Sequence, residues 1–327
     1  MLPSLLILLA VAETLPAAAA TTTIPTASTT RATAQDIRIR HDGVARRYLL
    51  HVPADLDAAR PAPLVMMLHG AGGNADHVAR AYGWRELADR AGFIAVFPEG
   101  TRRDSTEAAE WAMTNPRLWN DGSGRGFAGR RKVDDIGYLA AVLDDVARRC
   151  NVDADRVYCT GFSNGASMTF HAGVALSDRF AAIAPISGHL WLADPKPKSP
   201  RPMFFLTGDA DPLNPLAGGD APNPWGGPPQ KKPAIRKSVD AWVTLLGLDP
   251  AKTTVIRDDG KVRALRYGGD NADDAAREVV FYVVKNLGHE WPGRPRVLPR
   301  RLTGESSNAV DATALVWDFF KKHPREK

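Results

Sequence analysis

Gly161-Phe162-Ser163-Asn164-Gly165 decides the reading of this chain. A β-prone run, Arg156-Val157-Tyr158-Cys159-Thr160, precedes it, and a helix-prone run from Ala166 to Leu176 follows. Strand, G-x-S-x-G, helix is the context of a nucleophile elbow. The turn has to be very tight, which forces Ser163 into a strained backbone conformation. Side chains two residues to either side would collide there, so both positions need glycine. The strain lifts the Ser163 hydroxyl to the top of a sheet. The helix that follows aims its unpaired N–H groups and partial positive charge at the same place.

Outward from the elbow, apolar runs and amphipathic runs alternate. Pro63 to Leu68, Phe93 to Phe97, Phe180 to Ile186, Met203 to Leu206 and Val279 to Val284 are continuous apolar runs. That is the pattern of strands buried on both faces. His77 to Ala91, Asp134 to Cys150, Ala234 to Leu246 and Asn308 to Phe320 carry a helical period. Asp36 to Val52 reads as a hairpin turning at His41-Asp42-Gly43, and Thr253 to Arg257 and Arg263 to Tyr267 as weaker strands. The alternation predicts an α/β fold with a mostly parallel central sheet and helices on both faces. In such sheets the site lies at the carboxyl ends of the strands, and the chemical motifs fall at such ends.

A serine hydroxyl needs a base within hydrogen-bond reach, and the base needs an orienting carboxylate. On an α/β-hydrolase sheet the order is Ser, acid, His. After Ser163 the next acids at a strand end are Asp209 and Asp211, in Leu206-Thr207-Gly208-Asp209-Ala210-Asp211-Pro212. Asp211 lies deeper in the loop, before a stiffening proline, and is preferred; Asp209 is then left to satisfy loop amides. His289, in Gly288-His289-Glu290-Trp291-Pro292-Gly293 after the last strong strand, is the candidate base. His189 precedes the acid, His69 precedes the nucleophile, and His171 falls inside the elbow helix. The oxyanion of acyl transfer needs N–H donors. One is Asn164, directly after the nucleophile; Ala71 in His69-Gly70-Ala71-Gly72-Gly73-Asn74 is the other. That loop lacks the Lys-Ser/Thr pair of a phosphate loop. Trp119, Trp191 and Trp291 are candidates for an acyl pocket; packing of core and rim is the competing role for each.

The glycine loop, the elbow with Asn164, Ala210-Asp211-Pro212 and Gly288 to Gly293 together resemble the polyhydroxybutyrate depolymerase and feruloyl esterase family, carbohydrate esterase family 1-like. Trp119-Asn120-Asp121-Gly122 and Val133-Asp134-Asp135-Ile136-Gly137 also match it, and the similarity runs from about Ile37 to His323. The resemblance implies an α/β-hydrolase and a secreted serine esterase with a Ser163–His289–Asp211 triad, no cofactor and no metal. The implied substrates are polyhydroxybutyrate-type oligomers or feruloyl and acetyl esters of plant polysaccharide. Ala166 departs from the family, whose members often carry a second glycine there, and no appended granule- or carbohydrate-binding module is visible. Two other readings compete: a serine peptidase of the same fold, and a non-catalytic relative that binds glycans or lipids.

Beyond the motifs, Met1 to Ala20 holds an apolar run, Leu5 to Ala12, and ends in Ala17-Ala18-Ala19-Ala20. It reads as a signal peptide, although no Lys or Arg precedes the apolar run. The expected organisation is a signal over 1–20, a Thr/Ala-rich spacer over 21–35, a catalytic domain over 36–323 and a basic tail over 324–327. No later segment is long and apolar enough for a membrane span. The net charge is +5 across 327 residues. The basic clusters are scattered and lack interleaved aromatics, which argues for a solvated surface and against nucleic-acid binding. Of the two cysteines, Cys150 falls at a helix end and Cys159 well along the next strand. A buried free Cys159 is preferred, with a Cys150–Cys159 disulfide as the alternative.

Overall fold

A computed structural model describes residues 34–104, 115–224, 226–269, 276–296 and 299–325. The expected signal peptide, nearly all of the spacer, Trp111 and the last two tail residues lie outside the described residues. In chain order the elements are β1 (Gln35–His41), β2 (Val44–His51), β3 (Ala62–Leu68), α1 (Ala75–Ala81), α2 (Trp84–Ala91), β4 (Ile94–Pro98), β5 (Thr101–Arg102) and β6 (Arg117–Leu118). They continue with α3 (Gly126–Arg130), α4 (Asp135–Arg149), β7 (Val152–Phe162), α5 (Asn164–Ala175), β8 (Ala182–Ile186), β9 (Met203–Gly208), β10 (Gly219–Ala221) and β11 (Gln230–Lys232). The last are α6 (Ile235–Leu245), β12 (Thr254–Asp258), β13 (Val262–Tyr267), β14 (Val279–Val284), α7 (Arg300–Thr303) and α8 (Ala312–Lys322).

Ten strands form one sheet in the order β1-β2-β4-β3-β7-β8-β9-β14-β13-β12. The six central strands, β4 to β14 in that order, run parallel, and an antiparallel pair closes each side. Alternating side chains feed two cores. Leu64, Met66 and Leu68 of β3 point into the core under α4, α5 and α6; Val65 and Met67 point into the core under α1, α2 and α8. Full burial of side chains such as Phe205 or Phe170 contributes about 1.5–3 kcal/mol each.

The chain leaves β3 for its neighbour β4 on one side, then returns to add β7 on the other. The connections after β3 and β7 therefore go to opposite faces, and a crevice opens between their carboxyl ends. The glycine loop and the elbow meet in that crevice.

Three local departures from the sequence reading have physical causes. The helix expected over 77–91 is two helices, broken at Gly83, whose φ of 74° leaves the right-handed region. The final helix starts at Ala312, where the Asp311 carboxylate accepts the Ala314 N–H at 3.1 Å. The 101–132 and 212–233 loops carry small elements of their own: β5–β6 with α3, and β10–β11. Both cysteines are free, and Cys159 is buried within the sheet.

Candidate active site

Ser163 sits at φ 58°, ψ −117°, between β7 and α5. A Cβ at Gly161 would run into the Gly165 carbonyl, and one at Gly165 into the Leu68 carbonyl. The strained conformation persists because the surroundings over-determine it: the Ser163 N–H donates to Ile186 O at 3.0 Å, and the Ser167 N–H donates to Ser163 O at 3.0 Å.

His289 reaches this serine from the loop after β14. Its Nε2 lies 2.8 Å from Ser163 Oγ and its Nδ1 lies 2.7 Å from Asp211 Oδ2. An ionised carboxylate only accepts, so Nδ1 carries the proton and Nε2 is left to accept the serine hydroxyl hydrogen. Burial works to raise the Asp211 pKa, but His289 and the Leu213 and Asn214 amides, each 2.8 Å from Oδ1, hold it below the usual carboxylate range. Asp209, two residues earlier, accepts the Asn286 N–H at 2.6 Å. It thereby fastens the loop that delivers the histidine. The Gly288 N–H donates to Glu305 O at 2.8 Å and the His289 N–H to Thr303 O at 2.6 Å, which pins that loop from its other side.

The glycine loop is held by its own histidine. His69 is fully buried; Nδ1–H donates to Gly70 O at 2.7 Å and Nε2 accepts the Gly100 N–H at 2.9 Å. Burial pushes its pKa down to about 4, so it is neutral and serves as a clamp. The Gly72 amide donates to Arg117 O at 2.8 Å and the Gly73 amide to Gly70 O at 2.9 Å.

The Asn164 side chain fixes the opposite wall. Its Oδ1 accepts the Trp119 N–H at 2.8 Å, and its Nδ2 donates to Asp121 Oδ2 at 2.9 Å. The Trp119 indole N–H donates to His69 O at 2.8 Å. The Asn120 N–H donates to Asp135 Oδ2 at 2.7 Å, and Asp135 in turn pairs with the buried Arg46 at 2.7 Å. Residues 119–122 and 133–137 thus form one hydrogen-bonded brace behind the elbow.

These groups face a cleft of about 660 Å³. Trp119 lines it. Trp291 does not: it is buried, stacked on Tyr82 with ring centroids 4.7 Å apart, and its indole N–H donates to Thr313. Trp191 is half-buried beneath the Arg125 guanidinium, 3.7 Å from its ring centroid. His171 contacts Asn120 O at 3.2 Å. His189, Arg125 and Lys232 line the cleft without having been singled out as site residues. Only His189 carried a signal, its place at a strand end.

Residues 46–194 match the family described as esterase PHB depolymerase. The chain is 30% identical over 288 residues to the putative esterase NocK of Nocardia uniformis subsp. tsuyamanensis, covering 85% of this chain and 79% of that protein. It is 28% identical over 184 residues to the probable feruloyl esterase C of Aspergillus niger, covering 55% of this chain and 60% of that protein. The acetyl xylan esterase from Aspergillus awamori superposes with a TM-score of 0.58 at 14% identity, over 89% of this chain and 99% of that one, a likeness of fold.

Proposed function

The chain belongs to the esterase PHB depolymerase family and is a serine carboxylic-ester hydrolase, and from that premise we propose that it is an exported enzyme acting through an acyl-enzyme on Ser163. The observation that carries the residue roles is the unbroken hydrogen-bonded line Ser163 Oγ–His289–Asp211 on a strained elbow. Ser163 Oγ attacks the ester carbonyl as His289 Nε2 takes its proton. The negative charge moves to the carbonyl oxygen, which receives the N–H groups of Asn164 and Ala71. Ala71 is favoured within its loop because the Gly72 and Gly73 amides are already committed. Collapse expels the alcohol, which leaves with the proton from His289. Water, deprotonated by the same nitrogen, then releases the acid and restores the serine. Asp211 orients the imidazole and stabilises its charged form.

The catalytic domain is read as residues 36–323, and Met1–Ala20 as the export signal. No helix among the described residues is long and apolar enough to cross a membrane. The substrate is read as a hydroxyalkanoate oligomer or a feruloyl or acetyl ester of polysaccharide, as the family and the named relatives suggest. Comparing kcat/KM for methyl ferulate and for a soluble 3-hydroxybutyrate trimer separates these classes. Ser163→Ala is expected to lower kcat by roughly four orders of magnitude or more while the protein stays folded. Turnover by that variant near the wild-type rate would sink the assignment.

A further inference from the structure

Two cations face the cleft with too little negative charge beside them. Arg125 lies over the Trp191 ring at 3.7 Å, and the Lys232 ammonium approaches the same ring at 5.6 Å. Arg125 makes a 3.3 Å hydrogen bond to Gln230 Oε1, and its nearest carboxylate oxygen, on Asp121, is 3.9 Å away. That carboxylate also accepts from Asn164 and Ser123. The Lys232 ammonium makes no hydrogen bond or ion pair with another described residue. Holding two like charges partly out of water is costly unless an anion completes the site. The burial of Lys232, and then Arg125, push its pKa down to about 8 against the weaker attraction of Asp121 and Asp211.

A third group is His189, 1% exposed, with its ring 5.0 Å from that of Trp191. Neither ring nitrogen reaches full hydrogen-bond geometry within the protein, and the Asn214 side chain is a polar neighbour of the ring. Burial, then Lys232 and Arg125, lower its pKa to about 3, so it faces the cleft as a neutral imidazole. It follows Gly188, which packs against the elbow helix, and its own N–H donates to Ser167 Oγ at 3.1 Å. The cation pair and the imidazole therefore line the same cleft as the serine.

We propose that Arg125, Lys232 and His189 form an anion subsite, and that the enzyme selects esters carrying a carboxylate on the part of the substrate that reaches Arg125 and Lys232. This deepens the reading of the chain as an ester hydrolase and rests on it. A guanidinium and an ammonium with hydrogens to donate suit a carboxylate, and the aromatic floor orients them. Such a carboxylate has two sources in the proposed substrates: the free end of a hydroxy-acid oligomer, or a sugar acid.

Calorimetric titration of the Ser163→Ala protein with two matched pairs tests this. One pair is the 3-hydroxybutyrate trimer as free acid and as methyl ester; the other is acetylated glucuronic acid and acetylated glucose. The acid of one pair is expected to bind at least about tenfold tighter than its neutral partner, and the pair that shows it identifies the source. Lys232→Gln, and separately Arg125→Gln, are expected to bring that ratio towards one. Equal affinities within both pairs overturn the subsite, and a ratio unmoved by either variant overturns its assignment to these residues. Binding does not require hydrolysis, so these outcomes are separable from the esterase reading, which is tested by whether the wild-type protein hydrolyses methyl ferulate or the trimer and Ser163→Ala does not.

Discussion

Asp209 and Asp211 leave the same strand end two residues apart and meet different partners. Asp211 contacts the imidazole, whereas Asp209 contacts a backbone amide. Asp211→Asn keeps the shape but replaces an acceptor with an amide that no longer enforces the Nδ1–H tautomer. Its kcat is expected to fall by roughly 10³–10⁴-fold with KM little changed. Asp209→Asn is expected to keep kcat within about tenfold and to act mainly on thermal stability, since one backbone hydrogen bond is weakened. Steady-state kinetics and melting curves on both variants distinguish them, and a larger kcat loss in Asp209→Asn would reverse the roles. Ser163, Asp211 and His289 were readable because each sits at a strand end, in an order that local motifs announce. Arg125 and Lys232 were not. They belong to segments that meet only in the folded chain, as the contact between Arg125 and Gln230 across 105 residues shows.

Among elements, the legible ones were those whose burial is one-sided or complete. The apolar runs became central strands and the periodic runs became helices. The misread boundary between α1 and α2 turns on a single residue, Gly83, whose left-handed conformation outweighs an unbroken helical pattern. Residues 119–122 and 133–137 were visible as motifs, but their purpose emerges only in the folded chain: they brace α4 against the elbow through Asn120, Asp135 and Arg46. Arg46 is 7% exposed and Asp135 1%. Removing one partner leaves a buried charge uncompensated, so Asp135→Ala is expected to destabilise the fold by about 3–5 kcal/mol. The double variant Asp135→Leu with Arg46→Met is expected to lose less than Asp135→Ala alone. Urea unfolding measures both, and a double variant as weak as the single one would contradict the charge argument.

For the whole molecule, acid is the natural adversary. His69 and His189 are buried as neutral rings, with pKa values lowered to about 4 and about 3. In the unfolded chain histidine titrates near 6.5. Below that pH the unfolded state binds protons that the folded state refuses, so the stability these two rings contribute is complete above about 6.5 and declines as the pH falls towards 4. For His69 alone the loss amounts to about 3 kcal/mol over that window. Asp211, held below its ordinary range, contributes in the same sense, but its share disappears only at still lower pH. Urea midpoints at pH 7, 6 and 5 are expected to decrease in order. A flat profile would mean that the rings are protonated in the native state.

The hydrogen bond between Ser163 and His289 spans 126 residues of sequence. A ribosome therefore completes the elbow long before it makes the base that is to serve it. Until β14 has paired with β9 and the loop beyond it has settled against residues 303–305, the chain carries an ordinary serine. On the proposed roles, a chain truncated before residue 289 is expected to have no esterase activity however well the remainder folds.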